Sequence, residues 1–293
     1  MPNAQSKAMH TIGADPEFFI VDEMNYDPMV AVGLVDGSKE KPLPLHADLH
    51  PQFNYHRDNV MLEVGVPPTQ DPYVFVENIN TAIMYANDKL SRLSQDGQHL
   101  AIYRNMSVLQ FPDFQLDSPE AREFGCEPDQ DAYEGGAQRH APDDVMGNFR
   151  TAGGHVHIGI EGGSWNCPNF IVALLCDAYL GVFDTNLANV GAPQQPHTHY
   201  RKPGLYRDKP YGIEYRTPSN EWTFNNNKSY AVGRRALAVS QFCERATANK
   251  IRKMVETIDW IWVRSVIETG VRDATLFEAH KKTIKAITKF GGE

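Results

Sequence analysis

Three short stretches of this 293-residue chain place polar side chains at i and i+2, the spacing that puts both on one face of an extended strand. They are Asp15-Pro16-Glu17, His155-Val156-His157 and Glu214-Tyr215-Arg216, each with a residue suited to burial or turning in the middle. A further carboxylate, Glu63, stands in the otherwise apolar stretch Val60-Met61-Leu62-Glu63-Val64, where a carboxylate is seldom buried without a cation or a donor. Taken singly, a His-x-His is more often a surface or hydrogen-bonded pair, and an Asp-x-Glu is usually solvated. Brought to one concave face, the stretches deliver Asp15, Glu17, Glu63, Glu214, one or both histidines and Arg216 to a single cleft. Mg²⁺ and Mn²⁺ prefer such carboxylate oxygens, and Mg²⁺ is commonly shared with substrate phosphates, so the set suits nucleotide chemistry. Structural zinc would ask for about four nitrogen or sulfur ligands and few spare carboxylates.

Strands must carry these residues, and the sequence predicts them over 18–21, 60–66, 155–160 and 213–216, where β-branched and aromatic residues lie between turn formers. Gly153-Gly154 before the histidine pair and Gly159 after it are expected to let backbone and a bulky ligand approach closely. Between the strands lie helical patterns. Asp71-Pro72 fit an N-cap and first helical residue, and Val76, Ile79, Ile83, Ala86, Leu90 and Leu93 follow at helical spacing. A second helix is expected over 168–188, apolar on nearly every side and compatible with a homo-oligomer interface. Helical pattern returns over 228–269 in one or two pieces, and Asp273 can cap a last helix. Residues 113–148, rich in Asp, Glu, Pro and Gly, read as a long loop or lid. A single α+β domain over 1–293 follows, one sheet with helices on its outer face and residues 1–9 as a flexible terminus.

Composition narrows the partners. With 41% hydrophobic residues the chain can bury a full core, and a net charge of −9, from 28 basic and 37 acidic residues, argues against general nucleic-acid or anionic-membrane binding. Cys126, Cys167, Cys176 and Cys243 form no Cys-x-x-Cys pair and are too sparse for a disulfide framework, so reduced thiols in a cytosolic setting are expected. Met1 to Gln5 lack the basic and apolar segments of an export signal.

The ordered motifs Gly13-Ala14-Asp15-Pro16-Glu17-Phe18, Asp58-Asn59-Val60 to Glu63 with Pro67-Pro68, Gly153-Gly154-His155-Val156-His157-Ile158-Gly159 and Gly212-Ile213-Glu214-Tyr215-Arg216-Thr217-Pro218-Ser219 resemble the phage-associated carboxylate–amine ligase family, type 2. That family is similar to a compact relative of glutamine synthetase and glutamate–cysteine ligase, and the likeness spans about residues 10 to 225. It implies a glutamine-synthetase-like curved, mostly antiparallel sheet, ATP and Mg²⁺ (or Mn²⁺) as cofactors, and a bacterial or phage-infected cytoplasm. Carried over residue by residue, it makes Asp15, Glu17, Glu63, His155 and Glu214 metal ligands, with His157 nearer the nucleotide phosphates. Arg216 corresponds to the arginine that meets the transferred phosphate or acyl phosphate. The loop Tyr200-Arg201-Lys202-Pro203-Gly204 resembles the one that holds the substrate carboxylate. Where glutamine synthetases carry an arginine two residues before the last glutamate, this chain has Gly212, so Arg201, Arg207 or Lys209 would supply that charge. Glu127 and Asp129 either touch metal or amine or are plain loop residues, and His197-Thr198-His199 is expected to be solvent-exposed.

The implied reaction joins a small-molecule or peptide carboxylate to an amine. ATP phosphorylates the carboxylate, the amine attacks the acyl phosphate, and metals and an arginine neutralise the developing charge. Asp58, Glu127 or Asp129 would take the proton from the incoming ammonium. The rival readings are a phosphagen-kinase-like phosphotransferase, an ATP-independent metallohydrolase built on His155 and His157, and a non-catalytic virion or assembly scaffold.

Overall fold

The computed structural model describes residues 8–95, 97–122, 128–139, 147–184 and 202–290. Its centre is a nine-stranded sheet whose strands, numbered in chain order, are β1 (Met9–Phe18), β2 (Leu43–Pro44), β3 (Asn54–Asp58), β4 (Met61–Thr69), β5 (Asp129–Asp131), β6 (Ala137–Arg139), β7 (Gly154–Glu161), β8 (Leu205–Lys209) and β9 (Gly212–Tyr215). In space they run β6-β5-β8-β9-β7-β1-β4-β3-β2, and among the described residues β6 and β2 form the edges, so the sheet is open and not a closed barrel. Every pairing in it is antiparallel.

Alternation along the central strands sorts side chains by face. Ile12, Ala14, Phe18, Leu62, Val64, Val66, Val156, Ile158, Ile213 and Tyr215 point to a common apolar core. That core is closed by α1 (Pro72–Leu93), α2 (Asn169–Cys176) and α3 (Asn226–Arg245), which pack on the same face. Asp71 caps α1 by accepting from the Tyr73 N–H at 2.7 Å, with Pro72 in the first turn, as its sequence predicts.

The structure corrects several expectations. Met9 is the first residue of β1, opposite Glu161, and not part of a loose terminus. Within the supposed loop 113–148, β5 and β6 extend the main sheet; at three residues each they are too short to show a period. The apolar helix expected over 168–188 is helical over Asn169–Cys176, passes into a π-helical segment, Asp177–Gly181, and resumes at Val182–Asp184; residues 185–188 lie outside the described residues. The pattern over 228–269 is three helices, α3, α4 (Ala248–Thr257) and α5 (Trp260–Thr269), because Thr247 and Asp259 each begin a new helix as N-caps. Asp273 caps the following helix, Ala274–Thr283, through the Leu276 N–H. Among the described residues no helix is long and apolar enough to cross a membrane, and Cys167, Cys176 and Cys243 are free thiols.

Candidate active site

Register across the sheet explains why residues scattered over the chain meet. Asp15 lies opposite His155, His157 opposite Glu214, Glu214 opposite Arg207, Glu17 opposite Glu63, and Glu63 opposite His56. Directly paired residues share a face, so one row of titratable groups runs along the side of the sheet away from the helices. The segments predicted over 60–66, 155–160 and 213–216 lie on the strands β4, β7 and β9, whereas that predicted over 18–21 covers only the last residue of β1, and Ile20-Val21 pair in a separate three-stranded sheet.

Two groups in this row bring three potential ligand atoms within 4.8 Å of one another: Asp15, His157 and Glu214, and separately Glu17, Asp58 and Glu63. His155 lies between them, almost fully buried, with Nδ1 at 3.4 Å from Asp15 and 3.7 Å from Glu214, and Nε2 at 3.8 Å from Glu17. Of the metal set expected from sequence, Asp15 and Glu214 fall in the first group with His157, Glu17 and Glu63 fall in the second with Asp58, and His155 stands between the groups and belongs to neither. Asp58 owes its place to the hairpin turn between β3 and β4, where Asn59 adopts a left-handed φ of 51°, a conformation that Asn tolerates.

At the Glu214 end the groups around the carboxylate are cationic. Lys209 Nζ is 2.7 Å from Glu214, Arg207 Nη1 is 3.7 Å away, and Arg216 Nη1 donates to the same carboxylate. Asp129, on β5, stands 3.1 Å from Arg207 and 2.9 Å from Arg216. It is an anchor for two arginines, a role its loop-like surroundings in sequence do not signal. Gly212 cannot be exchanged for arginine in this backbone: its φ is +151°, and a Cβ there would lie 2.2 Å from the Ile158 carbonyl oxygen. Arg207 and Lys209, on the neighbouring strand β8, place their charges at Glu214. Arg201, Glu127 and the His197 and His199 pair lie outside the described residues.

The glycines before His155 serve a purpose other than the expected one. A Cβ on Gly153 would fall 2.3 Å from His155 Nε2, and one on Gly154 would fall 2.4 Å from the Ser219 carbonyl oxygen. Room there goes to the protein's own atoms, and above all to the buried imidazole. Gly153 also donates its N–H to Glu17 at 2.6 Å.

Electrostatics separate the carboxylates. Burial pushes Asp15 upward, but His157 and His155 outweigh it and hold Asp15 well below the usual carboxylate range. Burial works against the charged form of His157 too, and Asp15, 2.9 Å away, raises that histidine nonetheless. Burial and Asp15 raise Glu214, yet Arg216, His155 and His157 bring it down to about 2. Glu17 is raised by burial, with His155 opposing. Glu63 is raised furthest, by burial and by Asp15, Asp58, Glu17 and Glu214 together. Carboxylates crowded this way are stable in ionised form only with a cation among them.

Two residues that the sequence does not flag join the site. Tyr211 hydrogen-bonds His157 Nδ1 and stacks on its ring at a centroid distance of 5.8 Å, which fixes the ring's orientation. Asp177 lies behind the sheet and accepts from Tyr215 at 2.6 Å, Tyr133 at 2.9 Å and Thr217 at 3.2 Å. Tyr215 and Thr217 flank Arg216, so the π-helical segment holds that arginine's backbone from the core side.

No protein-family model matches the chain, and no curated protein matches it.

Proposed function

We propose that this protein is an ATP- and Mg²⁺-dependent carboxylate–amine ligase that works through an acyl phosphate on a glutamine-synthetase-like sheet. The observation that carries the reading is the joining, on one sheet face, of two acidic clusters to a group of cations: Asp15, His157 and Glu214, then Glu17, Asp58 and Glu63, beside Arg207, Lys209 and Arg216. The ordered motifs that resemble the type 2 amidoligases lie on these same strands.

The residues present fit divalent cations. The donors are carboxylate oxygens with imidazole nitrogen, and Asp15 Oδ1 is buried without a hydrogen bond of good geometry. Mg²⁺ held there would neutralise phosphate oxygens and the charge that builds on the transferred phosphoryl group. The chain itself does the rest. Arg216, buried and fixed by Asp129 and Glu214, presents a preorganised guanidinium to an anionic group arriving over β9. Arg207 and Lys209 share Glu214 as counterion, so an incoming phosphate meets cations already partly desolvated and aligned. His155, wedged among three carboxylates, keeps the two clusters at a fixed spacing.

The test is ADP release with Mg²⁺ and a panel of carboxylates, each with and without amines. The ligase reading expects amine-dependent ADP, an amide product by mass, and a hydroxamate when hydroxylamine replaces the amine. ADP with a stable phosphorylated guanidine in place of an amide would turn the reading to phosphotransfer. Bond cleavage that proceeds without ATP would turn it to a metallohydrolase.

A further inference from the structure

The acidic cluster of Glu17, Asp58 and Glu63 has a neighbour that the motifs do not mark. His56, on β3, is opposite Glu63 in register and two residues from Asp58 on the same face. Its side chain is 7% exposed, and both of its ring nitrogens are buried without a hydrogen bond. Burying a polar group unpaired is costly, and an imidazole with two idle nitrogens loses twice. Nε2 points to Glu63 Oε1 across 3.6 Å, which is too long for a hydrogen bond. It is close to the separation of two ligands on one cation: donors about 2.1 Å from a shared ion stand roughly 3.0 Å apart at a right angle and roughly 3.4 Å apart at a tetrahedral angle. His157 in the other cluster differs, since its Nε2 already faces Asp15 at 2.9 Å and its Nδ1 contacts Tyr211.

We propose that His56 is a nitrogen ligand of a cation site formed with Glu17, Asp58 and Glu63, and that this site selects Mn²⁺ over Mg²⁺. Magnesium keeps to oxygen and water in a strict octahedron, whereas Mn²⁺ accepts imidazole more readily and stands with the first-row metals whose affinity grows with nitrogen donors. One nitrogen among three carboxylates therefore tilts the balance without excluding Mg²⁺. The proposal rests on reading this face as a cation site and not on the ligase chemistry.

Titration of the metal-free full-length protein with Mn²⁺, followed by the electron paramagnetic resonance of the free ion, tests it. Wild type is expected to bind Mn²⁺ at two sites, one of them at least about tenfold tighter than Mg²⁺ in competition. His56→Gln is expected to weaken one Mn²⁺ site by about 10- to 100-fold, the range for losing a metal-orienting group, while Mg²⁺ affinity changes by less than about threefold. Pulsed resonance supplies a signature that a packing role would not move: in His155→Gln/His157→Gln the nitrogen coupling to bound Mn²⁺ persists, and in His56→Gln/His155→Gln/His157→Gln it is lost. Equal wild-type affinities for the two ions overturn the proposal without any variant, as does a nitrogen coupling that survives the triple substitution. If His56→Gln does not fold, as judged by circular dichroism and melting, His56→Asn takes its place. Mn²⁺ binding that depends on His56 in a protein with no carboxylate-dependent ADP release would overturn the ligase reading alone. The reverse pair of results would overturn this proposal alone.

Discussion

Two glutamates on one sheet face, Glu63 and Glu214, are driven in opposite directions, and the contrast describes the site. Around Glu63 burial and four other carboxylates, Asp15, Asp58, Glu17 and Glu214, all raise its proton affinity. The nitrogen base opposite it is His56, which burial keeps below the ordinary histidine range and so uncharged at neutral pH. Around Glu214 burial and Asp15 are outweighed by Arg216, His155 and His157, and the carboxyl falls to about 2. One end of the row is short of positive charge, and the other has its countercharges built in. On the proposed reading the first end takes a metal cation, and the second exchanges a protein carboxylate for a substrate phosphate with little rearrangement.

Breaking the cationic end should have the largest effect. Glu214→Gln removes the counterion shared by Arg207, Lys209 and Arg216, and amine-dependent ADP release is expected to fall at least about 100-fold, the scale for losing one preorganised electrostatic contact. An unchanged rate would take Glu214 out of the site. The same residue carries a pH signature. Its folded pKa lies below the ordinary glutamate value of 4.5, so its ionisation stabilises the fold above that value and the contribution is lost as pH falls from about 4.5 toward about 2. The amount is on the order of 3 kcal/mol. Denaturant unfolding between pH 6 and 3 should show a steep acid limb in wild type and a flatter one in the variant.

At the acidic end the sign reverses. Glu63 has a raised folded pKa, so the folded state binds the extra proton, and metal-free protein loses stability as pH climbs from the unfolded value through the folded one. Glu63→Gln abolishes that loss and relieves the like-charge pairing with Glu17 directly opposite. Metal-free Glu63→Gln should thus be more stable than wild type at neutral pH by about 1 kcal/mol, a rise of roughly 2–4 °C in melting temperature. Wild type should gain about 2.7 kcal/mol from Mg²⁺ at 100 times its dissociation constant, and the variant much less. If both proteins melt alike with and without Mg²⁺, the acidic end is no cation site and the contrast fails.

Much of this row is legible in the amino-acid sequence. Period-two spacing places Asp15 with Glu17, His155 with His157 and Glu214 with Arg216, and the apolar strand around Glu63 marks it as anomalous. Neighbour order is not legible, because pairing is decided by long-range registry such as Asp15 opposite His155, which leaves no local trace. Asp129 escapes notice as a partner of both arginines since β5 is three residues long within a polar, Gly-rich stretch. His56 escapes it because its strand, Asn54–Asp58, carries Asn, His, Arg and Asp and lacks the apolar alternation that flags a strand. Asp177 looks like an interruption in an apolar helix, and only the three hydroxyls that converge on it explain its burial. The glycines at 153 and 154 are visible, but the atoms they make room for are not.

The smallest effect concerns what stands behind the cationic end. Tyr215 follows Glu214, so its side chain passes to the core face, where its hydroxyl donates to Asp177 at 2.6 Å. Tyr133, just past β5 and its Asp129, donates to the same carboxylate. Asp177 thereby ties β9 and the segment after β5 to one buried anchor. Burial raises Asp177 to about 7, with Tyr215, Tyr133, Thr217 and the Gly204 backbone opposing. Tyr215→Phe removes one donor of that set and should cost about 1 kcal/mol, a loss of roughly 2–4 °C. It also removes a group that favours ionised Asp177, so the deficit against wild type should widen as pH rises through 7. Because Tyr215 sits between Glu214 and Arg216, ATP-dependent turnover should weaken by a few fold while Mn²⁺ binding at Glu17, Asp58 and Glu63 stays within error. Equal losses at both ends would mean that the sheet transmits the disturbance as one body, and that the two ends are not separately supported.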